Sequence, residues 1–584
     1  MTQNEVNQPI KYEFLYKIII ILLIINAAFW LMSPVPDDGD SYLYANIVKE
    51  LANSNNWYAL TYHGAAWLDK PHLPFWVGAI CFKIFGSSMI SYNISGFLFY
   101  LLGGFYCFKL AQELYTEEVA LVSTIIYFSI TRIAISAIFI RAEIFLLAEL
   151  VAAAYFGWRY DNSNKTFIPD LLGLALFTAL AIMTKGIFIV ISIFGSLFIV
   201  WMLKKQYLRA LSWKYILVYL TTAVFILPEI IALYLQFDSH PEKTIEMVGQ
   251  QYTNISGIKW FFWGSQFGRF FNNGYISHDI PVGGGYLYFI PVFIEFFLPW
   301  TLILICAIIH HRRYTKNLLK IKLNQNHIML NDPNAGYKYV YLLSSFLILF
   351  FLFSISKFQA SLYITILFSF PAIITANFLV YATEPQLVRL IKIYKWLFYA
   401  MLILIPCAVI AITTNRAICM VTILVMIGVN LLWQIIKRND IPNLFKLLVL
   451  LVLMFLLQFN TMMTIKNTVF MQHGIGMELA ETLHKDSQAD PQQLLPIVYY
   501  GINDGYVANE LLFNTNRTVS KIDQLYDIRS MNMLHLYLLT RDEKEVKEKL
   551  VRLFPASIML GRYEISRFHG LHRTEHQVVT LFRI

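Results

Sequence analysis

Apolar runs long enough to cross a bilayer recur along this chain as far as residue 463, and they leave few alternatives for its fold. A membrane helix needs about 20 mostly apolar residues. Windows of this kind fall at 13–33, 91–111, 119–138, 144–158, 167–183, 187–203, 213–236, 286–309, 339–355, 361–381, 393–413, 416–436 and 443–463. Lipid offers the backbone no hydrogen-bond partners, so each span closes its own bonds as a helix. The chain therefore reads as an α-helical polytopic membrane protein with about thirteen transmembrane helices. Only 14% of its residues are charged, against about a quarter in soluble domains. The first run carries no convincing cleavage site and is read as an uncleaved span.

The formal charge of +9 is explained by topology rather than by nucleic acid, because cations collect in loops on the cytoplasmic side. With the N-terminus inside, the inward loops hold Lys204, Lys205 and Arg209, then the run from His310 to Lys322, then Arg389, Lys392 and Lys395, then Lys437 and Arg438. Counting 73–86 as a span would put these clusters outside. That stretch is short and contains Lys83, so it reads as a helix lying at the outer interface. The same parity places the loops 34–86 and 237–285 outside, with the connections carrying Glu143, Lys185 and Lys357. The five cysteines show no metal spacing, and an odd count argues against a disulfide framework.

Beyond residue 466 the composition changes. Short pieces at 494–500 and 556–563 read as strands, and 541–554 reads as a helix. The expected division is a transmembrane domain at 1–466 and a small α/β domain at 467–584 on the periplasmic side.

The outer loops carry the residues that ask for a reason, since charge beside membrane spans is costly. Asp37, Asp38 and Asp40 follow the first span. They serve either as caps for a helix at 41–53 or as carboxylates for general-base work. Lys70 stands between Asp69 and Pro71, with Pro74 beyond; the prolines stiffen the backbone that aims it. An ammonium so placed snorkels or binds phosphate. Glu143 sits in a very short outer connection. Arg269, His278 and Asp279 lie among aromatics of the 237–285 loop. Each feature has a structural explanation; their coincidence on one face suits a lipid-linked phosphate substrate.

The order of these motifs resembles the GT-C integral-membrane glycosyltransferases, in particular the branch of protein O-mannosyltransferases and the lipid A aminoarabinose transferase. The run from Asp40 through Tyr42, Tyr44 and Glu50 to Asp69-Lys70-Pro71 is similar to the family's first outer loop. Arg141-Ala-Glu143 stands at its Arg-x-Asp position, and Thr184-Lys185-Gly186 at its Leu-Thr-Lys-Gly element. Arg269-Phe270, His278 and Pro299-Trp300 resemble its Arg-Phe…His…Pro-Trp loop, and Ser356-Lys357…Tyr363…Pro371 a later element. The resemblance covers roughly residues 35–372. It departs where His72 replaces a proline and where Glu143 is one methylene longer than Asp.

The resemblance implies a GT-C fold and an inverting transfer of sugar from a polyprenyl-phosphate donor to a lipid A, glycan or protein acceptor. It implies Asp40 and Glu143 as catalytic carboxylates, with Asp37 and Asp38 not separated from Asp40 by sequence. Lys70, Arg269, Tyr42, Tyr44, Lys185, Lys357 and Tyr363 are implied to bind substrate. No cofactor is required, and a divalent metal such as zinc on Asp69 and His278 is the one the resemblance allows. It places the protein in a bacterial inner membrane with its site toward the periplasm. The competing class is a transporter or flippase of a lipid-linked substrate, which also buries charge.

Overall fold

The computed structural model describes residues 12–32, 39–138, 141–162, 167–247, 250–276, 284–319, 334–412, 416–438, 441–465, 475–487, 495–502, 505–515, 517–531, 535–568 and 574–584. Asp37, Asp38, His278 and Asp279 lie outside these. The chain forms two compact units. One comprises Met1–Pro34, Val48–Ala400 and Val429–Leu456; the other comprises Val35–Ile47, Met401–Gly428 and Leu457–Ile584.

Among the described residues, eight helices are long and apolar enough to cross a membrane, and two bent helix pairs bring the number to at most ten. The chain is thus a multi-pass membrane protein. The bent pairs are Phe289–Phe296 with Thr301–Arg312, turning by 110°, and Ser361–Leu367 with Ser369–Val380, turning by 51°. The three remaining expected windows are helices that are shorter or carry more charge. Glu117–Phe128 has 12 residues and Val190–Leu203 has 14. Ala142–Asn162 is long enough but carries Glu143, Glu149, Arg159 and Asp161. Nearly all its described positions are buried, the mark of a helix surrounded by protein. It packs on Met89–Leu114 and Phe167–Lys185. Its far end is pinned where Asp161 accepts from Trp201 Nε1 (3.0 Å), Arg209 Nε (2.7 Å) and the Tyr215 hydroxyl (2.8 Å). Between spans, Leu73–Phe85 is a short apolar helix. It buries Leu73, Phe75 and Phe82 and exposes Ile80, Ile84 and Phe85, as an interfacial helix does.

In the second unit, the expected strands and helix form an α/β fold. Five strands lie in the order Val519–Ile522, Ile497–Tyr500, Tyr537–Arg541, Thr574–Arg583, Ile558–Phe568. The first three are parallel and the last two join antiparallel. Successive side chains of a strand point to opposite faces. Ile497, Leu539 and Leu581 accordingly pack on Leu479 and Leu511. Val498, Leu538 and Phe582 pack with Leu550. Helices therefore cover both faces of the sheet.

Candidate active site

The site in the first unit is made by helix ends. Glu143 lies in the first turn of Ala142–Asn162, and Lys185 is the last residue of Phe167–Lys185. These two helices pack closely together. A carboxylate suits a helix N-terminus and an ammonium a C-terminus, so each residue stands where its own helix favours it. Together they form an ion pair from Lys185 Nζ to Glu143 Oε1, with side chains 14% and 7% exposed. Lys185 Nζ also stands 4.1 Å from the centre of the Tyr363 ring, a cation–π contact.

Gly186 ends the helix at φ 113°, ψ 176°, a conformation open essentially to glycine alone. The Gln266 side chain fills the space a Cβ would occupy there, and Gln266 Nε2 donates to the Lys185 carbonyl at 3.3 Å. Gln266 belongs to the short helix Ser265–Phe271, which also presents Arg269. Arg269 donates to Ser265 Oγ at 2.9 Å and forms an ion pair with Asp69 Oδ1. Asp69 Oδ2 receives Lys70 Nζ at 2.6 Å. The neighbouring Leu68 carbonyl is held by Trp260 Nε1 at 2.7 Å.

Burial alone pushes the Asp69 carboxyl up, but the Arg269 and Lys70 charges outweigh it and hold it well below the usual carboxylate range. Burial and, after it, repulsion from Arg269 lower the Lys70 ammonium. Lys70, Arg269 and Lys185 bring three positive charges against the two of Asp69 and Glu143.

These groups border a cavity of about 410 Å³, within the range of small-molecule sites. Asp69, Lys70, Lys185, Ser265, Gln266, Arg269 and Tyr363 line it; the rest of its wall is mostly apolar, including Phe188, Ile191, Phe267, Phe270, Leu352 and Phe353. The cavity thus has a cationic part and a greasy part.

The sequence-expected residues divide as follows. Asp69, Lys70, Lys185, Arg269 and Tyr363 meet at the cavity, and Glu143 joins them through Lys185. Lys357 is exposed, and it is its backbone N–H that bonds, to the Phe270 carbonyl at 3.0 Å. Asp40, Tyr42 and Tyr44 belong to the second unit. Asp40 is half-buried in the first turn of Gly39–Asn53. Tyr42 and Tyr44 are buried, Tyr42 edge-on to Phe513 at 5.8 Å. As for a metal, both Asp69 oxygens face cations, and no cluster of three or more His, Cys, Asp or Glu occurs among the described residues. Sequence reasoning missed Ser265, Gln266 and the apolar wall. Gln266 had no signal of its own, although a Gly186 that must remain glycine implies a close neighbour.

An apolar cavity edged with charge thus lies inside the many-helix unit of a multi-pass membrane protein that also has an α/β unit. The chain is similar to crystal structures of ArnT from Cupriavidus metallidurans, in the apo state (TM-score 0.66, 16% identity) and bound to undecaprenyl phosphate (TM-score 0.67, 17% identity). Each match covers 96% of this chain and 97% of the other. Residues 69–232 match the dolichyl-phosphate-mannose-protein mannosyltransferase family. The relatives by sequence include undecaprenyl phosphate-alpha-4-amino-4-deoxy-L-arabinose arabinosyl transferase 2 of Pseudomonas fluorescens (24% identical over 271 residues) and of Proteus mirabilis (25% over 267). Both matches cover 45% of this chain and 44% of the relative, so the chain spans less than half the length of the curated relatives it matches. The chain therefore has the fold of these GT-C structures, and its sequence is similar to the arabinosyl transferases and, over residues 69–232, to the mannosyltransferase family.

Proposed function

We propose that this protein is a glycosyltransferase that takes a sugar from a polyprenyl-phosphate donor at the periplasmic face of a bacterial inner membrane. The carrying observation is the cavity in which Lys70, Arg269 and Lys185 stand beside an apolar wall. A polyprenyl phosphate joins an anionic head to a hydrocarbon tail, and both halves of the cavity then have a use. The names of the relatives and the undecaprenyl phosphate bound by the structural neighbour support the same donor.

In this reading Lys70 and Arg269 bind the donor phosphate and neutralise charge that grows on it as the sugar leaves. Preorganised electrostatic stabilisation of this kind usually contributes more to catalysis than any other single effect. Asp69 holds both cations in place before the donor arrives. Lys185 keeps Glu143 ionised, so that Glu143 assists, and Asp40 orients or deprotonates the acceptor. An acceptor that is itself a phosphate, as on lipid A, needs positioning more than a base. Tyr363 backs Lys185, and Tyr42 and Tyr44 shape the ground around Asp40.

The test is transfer from purified undecaprenyl-phosphate sugars by the protein in lipid nanodiscs. Lys70→Ala and Asp40→Asn are each expected to cost roughly a hundredfold; near-normal rates in both overturn the assignment. Mass spectrometry of lipid A, surface glycans and envelope proteins, with and without the protein, identifies the acceptor.

A further inference from the structure

The segment that delivers Lys70 is gripped from behind by one helix. Trp213–Leu233 continues into a wider turn at Tyr234–Asp238, and two of its side chains reach the segment. Gln236 makes a reciprocal pair with Leu60: the Leu60 N–H donates to Oε1 at 3.0 Å, and Nε2 donates to the Leu60 carbonyl at 2.7 Å. Glu229 does the corresponding work at His72. The His72 N–H donates to Glu229 Oε2 at 3.1 Å, and His72 Nδ1 stands 3.0 Å from Glu229 Oε1. The other ring nitrogen, Nε2, lies 3.1 Å from the Tyr58 carbonyl. That carbonyl only accepts, so Nε2 carries a hydrogen, and the contact to Glu229 holds a second proton on one of its two atoms. Both side chains are shut from water, 2% exposed for His72 and 0% for Glu229.

A buried carboxyl bonded to both the backbone N–H and the ring of one residue fixes that residue's backbone and its ring. His72 is two residues from Lys70 and one from Pro71, which lines the cavity. We propose that Glu229 is a positioning residue for Lys70, acting through His72: it sets the backbone from which Lys70 reaches the donor phosphate. The inference rests on the reading of Lys70 as a phosphate ligand. It also gives His72 a role that its place beside the Lys-Pro pair left unexplained.

The φ of His72 is −75°, inside the range proline imposes. Proline there would keep the backbone angle while deleting the N–H and the ring, leaving Glu229 buried without partners. Removing both halves of a buried polar pair is far milder than removing one. The experiment titrates the full-length protein with undecaprenyl phosphate in nanodiscs and records thermal melting alongside. Glu229→Gln, whose amide oxygen accepts from the His72 N–H and whose amide N–H donates to Nδ1, is expected to bind within about threefold of wild type. His72→Pro and Glu229→Leu, which break the pair, are each expected to weaken binding about tenfold, and together to restore it to within about threefold of wild type. Unchanged binding in Glu229→Leu alongside lost binding in Lys70→Ala overturns the positioning role alone, as does a double variant no better than the worse single. Full binding in Lys70→Ala overturns the donor reading and the inference with it.

Discussion

The most local test of the site is Gly186→Ala. Gly186 joins the helix carrying Lys185 to the next element at φ 113°, ψ 176°, where a side chain costs about 1–3 kcal/mol. A Cβ built there falls 2.0 Å from Gln266 Nε2 and 2.4 Å from its carboxamide carbon. Real atoms do not approach so closely, so Gln266 must leave. It would give up its bonds to the Lys185 and Phe261 carbonyls, long ones at 3.3 and 3.5 Å and therefore at the low end, about 0.5 kcal/mol each. The sum is about 2–4 kcal/mol. It appears as lost stability if the backbone holds, or as a reoriented Lys185 and weaker anion binding if it yields; at about 1.4 kcal/mol per tenfold, the second route costs tenfold or more. The assay is thermal melting of the purified protein with and without undecaprenyl phosphate, together with its dissociation constant. Gly428→Ala is the control. Gly428 lies inside the helix Arg416–Arg438, has open space around its Cβ direction, and alanine there is favoured by up to about 1 kcal/mol. It should melt at or above the wild-type temperature. A Gly186→Ala protein that melts and binds like wild type would refute the reasoning.

Three other outcomes follow from the structure. Because the folded protein lowers the Lys70 ammonium below the ordinary lysine value of 10.5, its charge is lost on raising pH before that of a free lysine. Undecaprenyl phosphate binding should therefore fall on the alkaline side below pH 10.5, and Lys70→Arg should move the fall upward. The Asp69 carboxyl is held below the usual carboxylate range; it supports the fold above its unfolded value, and that support goes only as pH drops through the depressed one. Any fall in binding on mild acidification should therefore come from the phosphate, whose second proton titrates near pH 6, and should be the same in wild type and Lys70→Arg. Gly104→Ala should lower the melting temperature by the equivalent of about 1–3 kcal/mol of overpacking, because its Cβ would meet the buried Phe128 ring at 2.3 Å. Binding by the protein that remains folded should be unchanged, and equal losses in both readouts would contradict this.

Much of the cavity's charged rim was legible in the sequence because charge stands out against an apolar background. Asp69, Lys70, Glu143, Lys185 and Arg269 each stand at or near the edge of an apolar stretch. What was not legible is set by packing. Ile191, Leu352 and Phe353 line the cavity, but an apolar residue facing a ligand carries the same letter as one facing lipid. The stretch 286–309 reads as one span, yet it turns by 110° between two helices, since hydropathy has no direction. Ala142–Asn162 holds Glu143, Arg159 and Asp161 in ion pairs inside the protein and Glu149 on the Thr184 hydroxyl, partnerships that the letters do not show. Lys357 shares a motif with Tyr363, but only the tyrosine reaches the cavity, because a side chain's direction in an irregular turn depends on contacts that the letters do not hold.

The pairing of charges explains how the fold accommodates its site. An isolated charge among membrane helices is expensive, and if the cavity takes a phosphate donor as proposed, its three cations would repel one another before the donor arrived. Asp69 and Glu143 answer both difficulties. Asp69 bridges Lys70 and Arg269 from the two sides of its carboxylate, and Glu143 holds Lys185. Neither carboxylate cancels the positive excess. A phosphate entering the cavity therefore meets cations already ordered and only partly neutralised. It can draw on their attraction without first paying the entropy of gathering three long side chains. The same logic extends outward to Glu229 and Gln236, which fix backbone rather than charge. A site built this way should lose affinity when its supporting carboxylates are removed, even though they bear the same sign as the ligand. Simple electrostatics, counting only net charge, would predict the opposite.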